Sequence, residues 1–220
     1  YSPNILLINN IEFDHADIFN DLDAIKKQFH HLLKIMPISG KVIFFNHDKN
    51  ALDVINEGCW SNSIEINGNS SIASYDFSSA TISFDGKSSC INDLPFYGSH
   101  NNLNAVGAII STSLCGINLN DALNGLKDFS GVLRRLEHKG TFKGITILDD
   151  FAHHPTAIKS TIEAVKEKYN GKKVLNIIEL GSNTMSGGFH GDELYSIDNL
   201  ESEILWLDHK SILQNNKGNI

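Results

Sequence analysis

The sequence predicts an α/β fold with parallel strands, and three observations predict it. The apolar run "NILLIN" (4–9) is followed by a helical pattern and then by "KVIFFN" (41–46), a strand–helix–strand succession. A second succession, "ITILDD", "PTAIKSTIEAVKEKY" and "KVLNIIE", begins at residue 145. Between them, "SGVLRRLEHKGTFKG" (130–144) is rich in glycine and basic side chains and reads as a domain linker. Strands joined through a helix pair in parallel with a right-handed crossover. The expected division is a first domain over 1–131 and a second over 132–220.

The elements follow in order. "NILLIN" is apolar throughout, as a parallel strand covered on both faces must be. Asn20 is expected to cap the next helix, with Asp23 three residues on in the capping-box position. Leu22, Ile25, Phe29, Leu32, Leu33 and Met36 then share one helical face, and Pro37 and Gly40 end it. From 60 to 97 the pattern changes: "SIEIN", "SIASYDF" and "TISFDG" alternate polar and apolar residues, which suggests short antiparallel strands or a meander. "SHNNLNAVGAIISTSLCG" (99–116) resumes helical spacing at Leu103, Val106, Ile110 and Leu114, with Gly116 suited to the C-cap. "NLNDALNGLKDF" (118–129) is a second short helix. In the second half Pro155 suits a first helical turn, and Ile158, Ile162, Val165 and Tyr169 line one face.

Bulk properties bound the function. The chain has 220 residues and a net charge of -8, with no long basic block. Nucleic acid is therefore not expected as the main partner, because phosphate backbones need clustered Lys and Arg. A small anionic ligand remains compatible, since backbone amides and one or two arginines suffice. The three cysteines, Cys59, Cys90 and Cys115, form no CxxC pair, which predicts a reducing cytoplasm rather than a disulfide framework. No apolar run reaches the roughly 18 residues of a membrane span, and no signal-peptide pattern opens the sequence. The chain starts on Tyr1, close to a strand, and ends on the polar "QNNKGNI", which predicts a piece of a longer protein.

Several clusters can carry chemistry, and each has a bland alternative. "NNIEFDHADIF" (9–19) places Glu12, Asp14, His15 and Asp17 after a strand: a metal site, a general base, or a capped turn. Asp149 and Asp150 end a strand, and "FAHHP" leads into a helix. In open α/β sheets ligands bind at the carboxyl ends of strands. A carboxylate there can hold ribose hydroxyls while the helix N-terminus favours an anion, or the same residues can simply cap a turn. His153 and His154 are adjacent and cannot easily ligate one metal together, and zinc would lack cysteines at ligand spacing. His30 and His31 sit mid-helix, where one boundary and one surface histidine are expected. Arg134 and Arg135 can grip phosphate or form a solvated pair. His100, Asn101 and Asn104 stand at a helix start, where an asparagine amide can read an adenine edge or cap the helix. No GxxxxGK[ST] phosphate loop occurs; "GKSS" at 86 has no glycine five positions earlier.

The order of these motifs is more specific than any one of them. "NNIEFDHADIF", "FYGSHNNLNAVGA", "GVLRRLE", "LDDFAHHPTAI" and "SNTM" together resemble the Mur ligases, ATP-dependent amino-acid and peptide ligases of bacterial cell-wall synthesis. The resemblance spans residues 3 to about 208. "EFDHADIF", "KQFHHL", "DDFAHHPTAI" and "SNTM" are more similar to the branch that joins L-alanyl-γ-D-glutamyl-meso-diaminopimelate to UDP-N-acetylmuramate in peptidoglycan recycling. The L-alanine-adding branch more typically shows "EPDH" and "DDYxHHPTE". A non-catalytic nucleotide-binding module is the alternative from another class.

The resemblance implies the second half of a central ATPase domain, then part of a Rossmann-like C-terminal domain. The family's phosphate loop and its Mg²⁺-ligating glutamate are expected before Tyr1, so the 220 residues alone are expected to be inactive. By motif, His15 is implied as the Mg²⁺ ligand, with Asp14 and Asp17 shaping the turn. Asn101 and Asn104, with His100, would line the adenine pocket, and Asp150 would bind the ribose. Arg135 would reach the ATP phosphates, with domain closure completing the site. His153 and His154 would lie close to the nucleotide or the reacting centre. Ser182, Asn183 and Thr184 are candidates for the tripeptide site. ATP and Mg²⁺ are the implied cofactors, and UDP-N-acetylmuramate and the murein tripeptide the implied partners, in a cytoplasmic monomer with no membrane or nucleic-acid role. One departure matters: the family pattern "EPR" before "SNTM" is "ELG" here, Glu179 to Gly181, so an arginine expected near the peptide carboxylates is absent.

Overall fold

The computed structural model describes residues 2–69, 71–91, 94–197, 200 and 203–207, with backbone alone at 183, 192 and 195. The chain divides into two compact units. The first takes Tyr1–Phe13, Phe19–Pro95 and Asn101–Phe129. The second takes Asp14–Ile18, Phe96–His100 and the residues from Ser130 on.

The first unit is built on three parallel strands, β1 (Ile5–Ile8), β2 (Lys41–Phe45) and β3 (Asn62–Ile66), in that order. Helix α1 (Leu22–Lys34) connects β1 to β2, and α2 (Lys49–Glu57) connects β2 to β3. The cap of α1 is Asp21, one residue later than expected: its carboxylate accepts the Ala24 N–H at 2.7 Å. Helix α2 was not anticipated; Asp48 caps it through the Ala51 N–H, and Ala51 and Val54 are buried. Strand β3 corrects the sequence reading. "SIEIN" does not join the meander but pairs in parallel with β2.

The meander itself is present as β4 (Ala73–Asp76), β5 (Thr81–Phe84) and β6 (Lys87–Cys90), all antiparallel. Helices α3 (Ser99–Leu114) and α4 (Leu119–Lys127) follow. Alternation along β2 sorts the core into two layers. Val42 and Phe44 pack with Leu33 of α1, with Met36 just past its end, and with Ala51 and Val54 of α2. Ile43 and Phe45 pack on the opposite face with Tyr75, Ile82, Val106, Ile109 and Ile110. Each fully buried Val, Leu, Ile, Phe or Met side chain contributes about 1.5–3 kcal/mol by leaving water. Of the paired histidines, His30 is buried and His31 exposed.

In the second unit the basic stretch is only partly a linker. Residues Glu137–Phe142 form β7, which pairs antiparallel with β8 (Ile145–Asp149) across a turn at Lys143 and Gly144. Both turn residues have positive φ, 50° and 81°, which matches the right-handed twist of a tight hairpin. Helix α5 (Pro155–Lys168) carries Pro155 in its first turn and buries Ile158, Ile162 and Val165. Then come β9 (Leu175–Glu179), the short helices α6 (Asn183–Ser186) and α7 (Gly191–Ile197), and β10 (Glu203–Leu207), which pairs in parallel with β9. The expected pairing of "ITILDD" with "KVLNIIE" is therefore replaced: β8 belongs to the hairpin, and β9 takes β10 as its partner. Ile158, Ile162, Leu180, Met185, Leu194 and Ile197 form the core of this unit. Among the described residues no helix is long and apolar enough to cross a membrane.

Candidate functional site

Most of the marked residues fall in the second unit, where Asp14 draws several together. The Asp14 carboxylate accepts the His15 N–H at 2.7 Å and the Thr184 hydroxyl at 3.0 Å. Thr184 in turn accepts the Ala16 N–H at 3.3 Å. His153 Nε2 stands 3.7 Å from the second Asp14 oxygen, while its Nδ1 lies 2.8 Å from the Phe151 carbonyl. A proton on Nδ1 donated to that carbonyl leaves Nε2 to face Asp14. Ser182 joins the same cluster by donating to the His153 carbonyl at 3.3 Å and accepting the Met185 N–H at 3.1 Å. Partial burial disfavours the Asp14 charge, but the His15 amide, the Thr184 hydroxyl and the two histidines outweigh it and hold its carboxyl below the usual range.

His15 itself is 67% exposed and adopts positive φ, 56°, an unusual backbone for a side chain. Its Nε2 lies 3.9 Å from Asp14. Magnesium takes oxygen ligands in a near-octahedral shell. Among the described residues no group of three acids and histidines gathers around His15.

Asp150 is held by three donors. One oxygen accepts the Ala152 N–H at 2.8 Å and the Thr161 hydroxyl at 3.2 Å, and the other accepts the Leu136 N–H at 2.8 Å. A carboxylate has about four acceptor directions, so one remains open. The two arginines separate. Arg134 is structural: its guanidinium lies 4.5 Å over the Phe151 ring and 3.7 Å from Asp149, and its backbone adopts φ 59°. Arg135 is exposed, and its guanidinium makes no hydrogen bond or ion pair with another described residue.

His100 opens α3 with Nδ1 buried and without a hydrogen-bond partner among the described residues. Burial lowers its pKa, with Arg135 adding to the effect and Asp150 opposing it. The segment before it is pinned by Tyr97, which meets Tyr169 edge-on at 6.4 Å and whose hydroxyl burial pushes up to about 12. Gly98, at φ +95°, permits the close approach: a Cβ there would sit 2.7 Å from the Ala164 methyl and 2.9 Å from the His100 ring. Gly98→Ala is expected to cost about 1–3 kcal/mol through overpacking and strain. Thermal melting reads this directly, and an unchanged midpoint would refute the close approach.

In the first unit, Asn104 accepts the Asn9 amide at 3.1 Å, which ties α3 to the end of β1. Asn101 lies one turn earlier on the same helix and is half-buried. The Asn183 side chain lies outside the described residues. His154 caps α5 by accepting the Thr156 N–H at 3.3 Å, and its ring meets His190 edge-on at 4.6 Å. Two residues that the sequence reading left aside are thus drawn in. Asp14, read as a turn former, is a hub, and His190, which the sequence reading did not single out, packs against His154.

Residues 1–112 match the Mur ligase middle domain, and residues 134–196 match the Mur ligase glutamate ligase domain. The UDP-N-acetylmuramate–L-alanyl-γ-D-glutamyl-meso-2,6-diaminoheptandioate ligase of Escherichia coli (strain K12) is 40% identical over 200 residues, 88% of this chain and 44% of that protein. A UDP-N-acetylmuramate–L-alanine ligase of Caldanaerobacter subterraneus subsp. tengcongensis is 32% identical over 192 residues, 81% of this chain and 40% of that protein. The crystal structure of a murein peptide ligase from Psychrobacter arcticus 273-4 aligns with 100% of this chain and 48% of that one, at 33% identity and a TM-score of 0.71. The chain spans less than half the length of these relatives. With a middle domain followed directly by a glutamate ligase domain, the chain belongs to the Mur ligase family.

Proposed function

We propose that the whole protein is an ATP-dependent ligase that joins the L-alanyl-γ-D-glutamyl-meso-diaminopimelate tripeptide to UDP-N-acetylmuramate. The observation that carries this reading is the assembly around Asp14, where residues of "FDHA", "FAHHP" and "SNTM" become hydrogen-bonded neighbours. Higher identity to the tripeptide ligase than to the L-alanine ligase favours the tripeptide as acceptor.

A carboxylate is a poor electrophile, and ATP supplies the phosphoryl group that makes it an acyl phosphate. The roles assigned to this chain follow from residue chemistry. Asn101, Asn104 and His100 take the adenine edge, Asp150 uses its remaining acceptor direction for the ribose, and Arg135 offers an uncommitted guanidinium to phosphate. His153, oriented by the Phe151 carbonyl and Asp14, and His154 stand near the nucleotide or the reacting centre. Ser182, Asn183 and Thr184 contact the peptide. His15 serves as one Mg²⁺ ligand only where oxygens complete the shell. The middle domain ends near 131 and the C-terminal domain begins near 132. The site of action is the cytoplasm, in the monomeric state. Because the chain contains no GxxxxGK[ST] loop, the 220 residues alone are expected to release no phosphate.

The match to L-alanine ligases sets the competing reading. Whole protein supplied with ATP, Mg²⁺ and UDP-N-acetylmuramate should form ADP when given the tripeptide. ADP formation with L-alanine and none with the tripeptide would overturn the choice of acceptor. ADP formation with neither would favour a nucleotide-binding module.

A further inference from the structure

His154, His190 and Glu193 each bring one ligand atom to within 4.8 Å of the others, and no other such group of three or more occurs among the described residues. The ligands come from three backbone positions held in place by helices. His154 immediately precedes α5, and its carbonyl accepts the Ile158 N–H at 2.9 Å. His190 immediately precedes α7, and its carbonyl accepts the Leu194 N–H at 2.9 Å. Glu193 lies three residues on, so one helical turn carries its carboxylate back over the His190 ring, 3.2 Å from Nδ1.

We propose that these three residues form a binding site for a divalent transition metal of the zinc type, separate from the Mg²⁺ that accompanies the nucleotide. Two imidazoles and one carboxylate match the ligand preferences of Zn²⁺ and its neighbours, whereas Mg²⁺ prefers oxygen alone. Three protein ligands leave one tetrahedral position for water or an anionic group. The His190 side chain is 5% exposed, so its ring is held in place by the surrounding core. The Thr156 N–H already points at His154 Nδ1, which places a lone pair on that nitrogen. A metal there would displace a hydrogen bond of 3.3 Å, near the long end for N–H donors.

The test is a titration of the metal-stripped chain with Zn²⁺ in excess Mg²⁺, followed by calorimetry and thermal melting. One Zn²⁺ should bind per chain and raise the melting temperature, since a ligand of the folded state stabilises it. His190→Gln and Glu193→Gln should each weaken binding at least about tenfold and remove most of the Zn²⁺-dependent shift. Co²⁺ should give visible bands of a four-coordinate N/O site that both substitutions abolish. His138→Gln, in the exposed hairpin, should leave binding unchanged and thereby exclude a surface histidine. Glu193 is exposed, so its substitution preserves the fold even if that of His190 does not. Zn²⁺ binding equal in wild type and Glu193→Gln, or no one-to-one binding in wild type, would overturn the site.

Discussion

Asp150→Ala is expected to lower the melting temperature of the second unit by roughly 12–24 °C. Three donors lose their acceptor together: the Leu136 and Ala152 amides and the Thr161 hydroxyl. Hydrogen bonds to a charged group contribute about 1.5–3 kcal/mol each when well made. Partial exposure reduces this, so a total near 3 kcal/mol is a fair expectation, and each kcal/mol moves the midpoint of a domain of this size by about 4–8 °C. The loss also separates the start of β7 from the start of α5, so proteolysis should begin near residues 136 and 152. A shift under about 3 °C would show that these bonds are not structural. The same arrangement governs how kinetic data are read. Alanine at 150 removes both the scaffold and the proposed ribose contact, so the isosteric Asp150→Asn is the better probe of nucleotide binding.

Asp14→Ala is expected to reduce kcat/KM of the whole protein for the tripeptide about a hundredfold. The substitution frees Thr184 from 3.0 Å and His153 from 3.7 Å, and removes the bond that fixes the His15 amide. Misplacing a reacting group by about 1 Å costs on the order of 10² in rate. Thr184→Val should reproduce much of the loss, and Thr184→Ser, which keeps the hydroxyl, should restore most of it. A kcat/KM within threefold of wild type for Asp14→Ala would remove Asp14 from the site. The pH dependence gives an independent readout. The folded-state pKa of Asp14 lies below its ordinary value. Its stabilising contribution is therefore complete above about 3.9, the unfolded value, and disappears as pH falls through the lowered folded value. Acid melting curves of wild type and Asp14→Ala should converge in that range and diverge above it.

The fold was legible where burial imposes a pattern on the chain. Strands β1 and β2 are apolar on both faces because helices cover both sides, and that makes their runs continuous. Helix α5 carries both of its signals, Pro155 at the start and an apolar face at a period near 3.6. Strand β3 was read with the wrong neighbours because alternation reports one buried face and says nothing about parallel or antiparallel pairing. Helix α2 spans nine residues with only Ala51 and Val54 buried, too short a run for periodicity to stand out. The β7–β8 hairpin hid in the linker because its outward residues include Lys139, Gly140 and Lys143, and its turn, "KG", lacks the usual asparagine or aspartate.

The site divides along similar lines. "DDFAHHP" signalled itself, since acids and histidines between a strand and a helix are chemically conspicuous. The role of Asp14 was not visible, because its partner Thr184 lies 170 residues away and only folding joins them. The division of labour between Arg134 and Arg135 was equally hidden: Phe151 and Asp149 fix the first, and nothing local in "RR" says which it will be.

The central claim is that a muramate carboxylate is activated by phosphorylation before the peptide amine attacks. If so, one carboxylate oxygen must leave with phosphate. Whole protein given UDP-N-acetylmuramate labelled with ¹⁸O in its lactyl carboxylate, with ATP and the tripeptide, should transfer one label into each inorganic phosphate released. Phosphate free of label, with the amide product formed, would contradict the account.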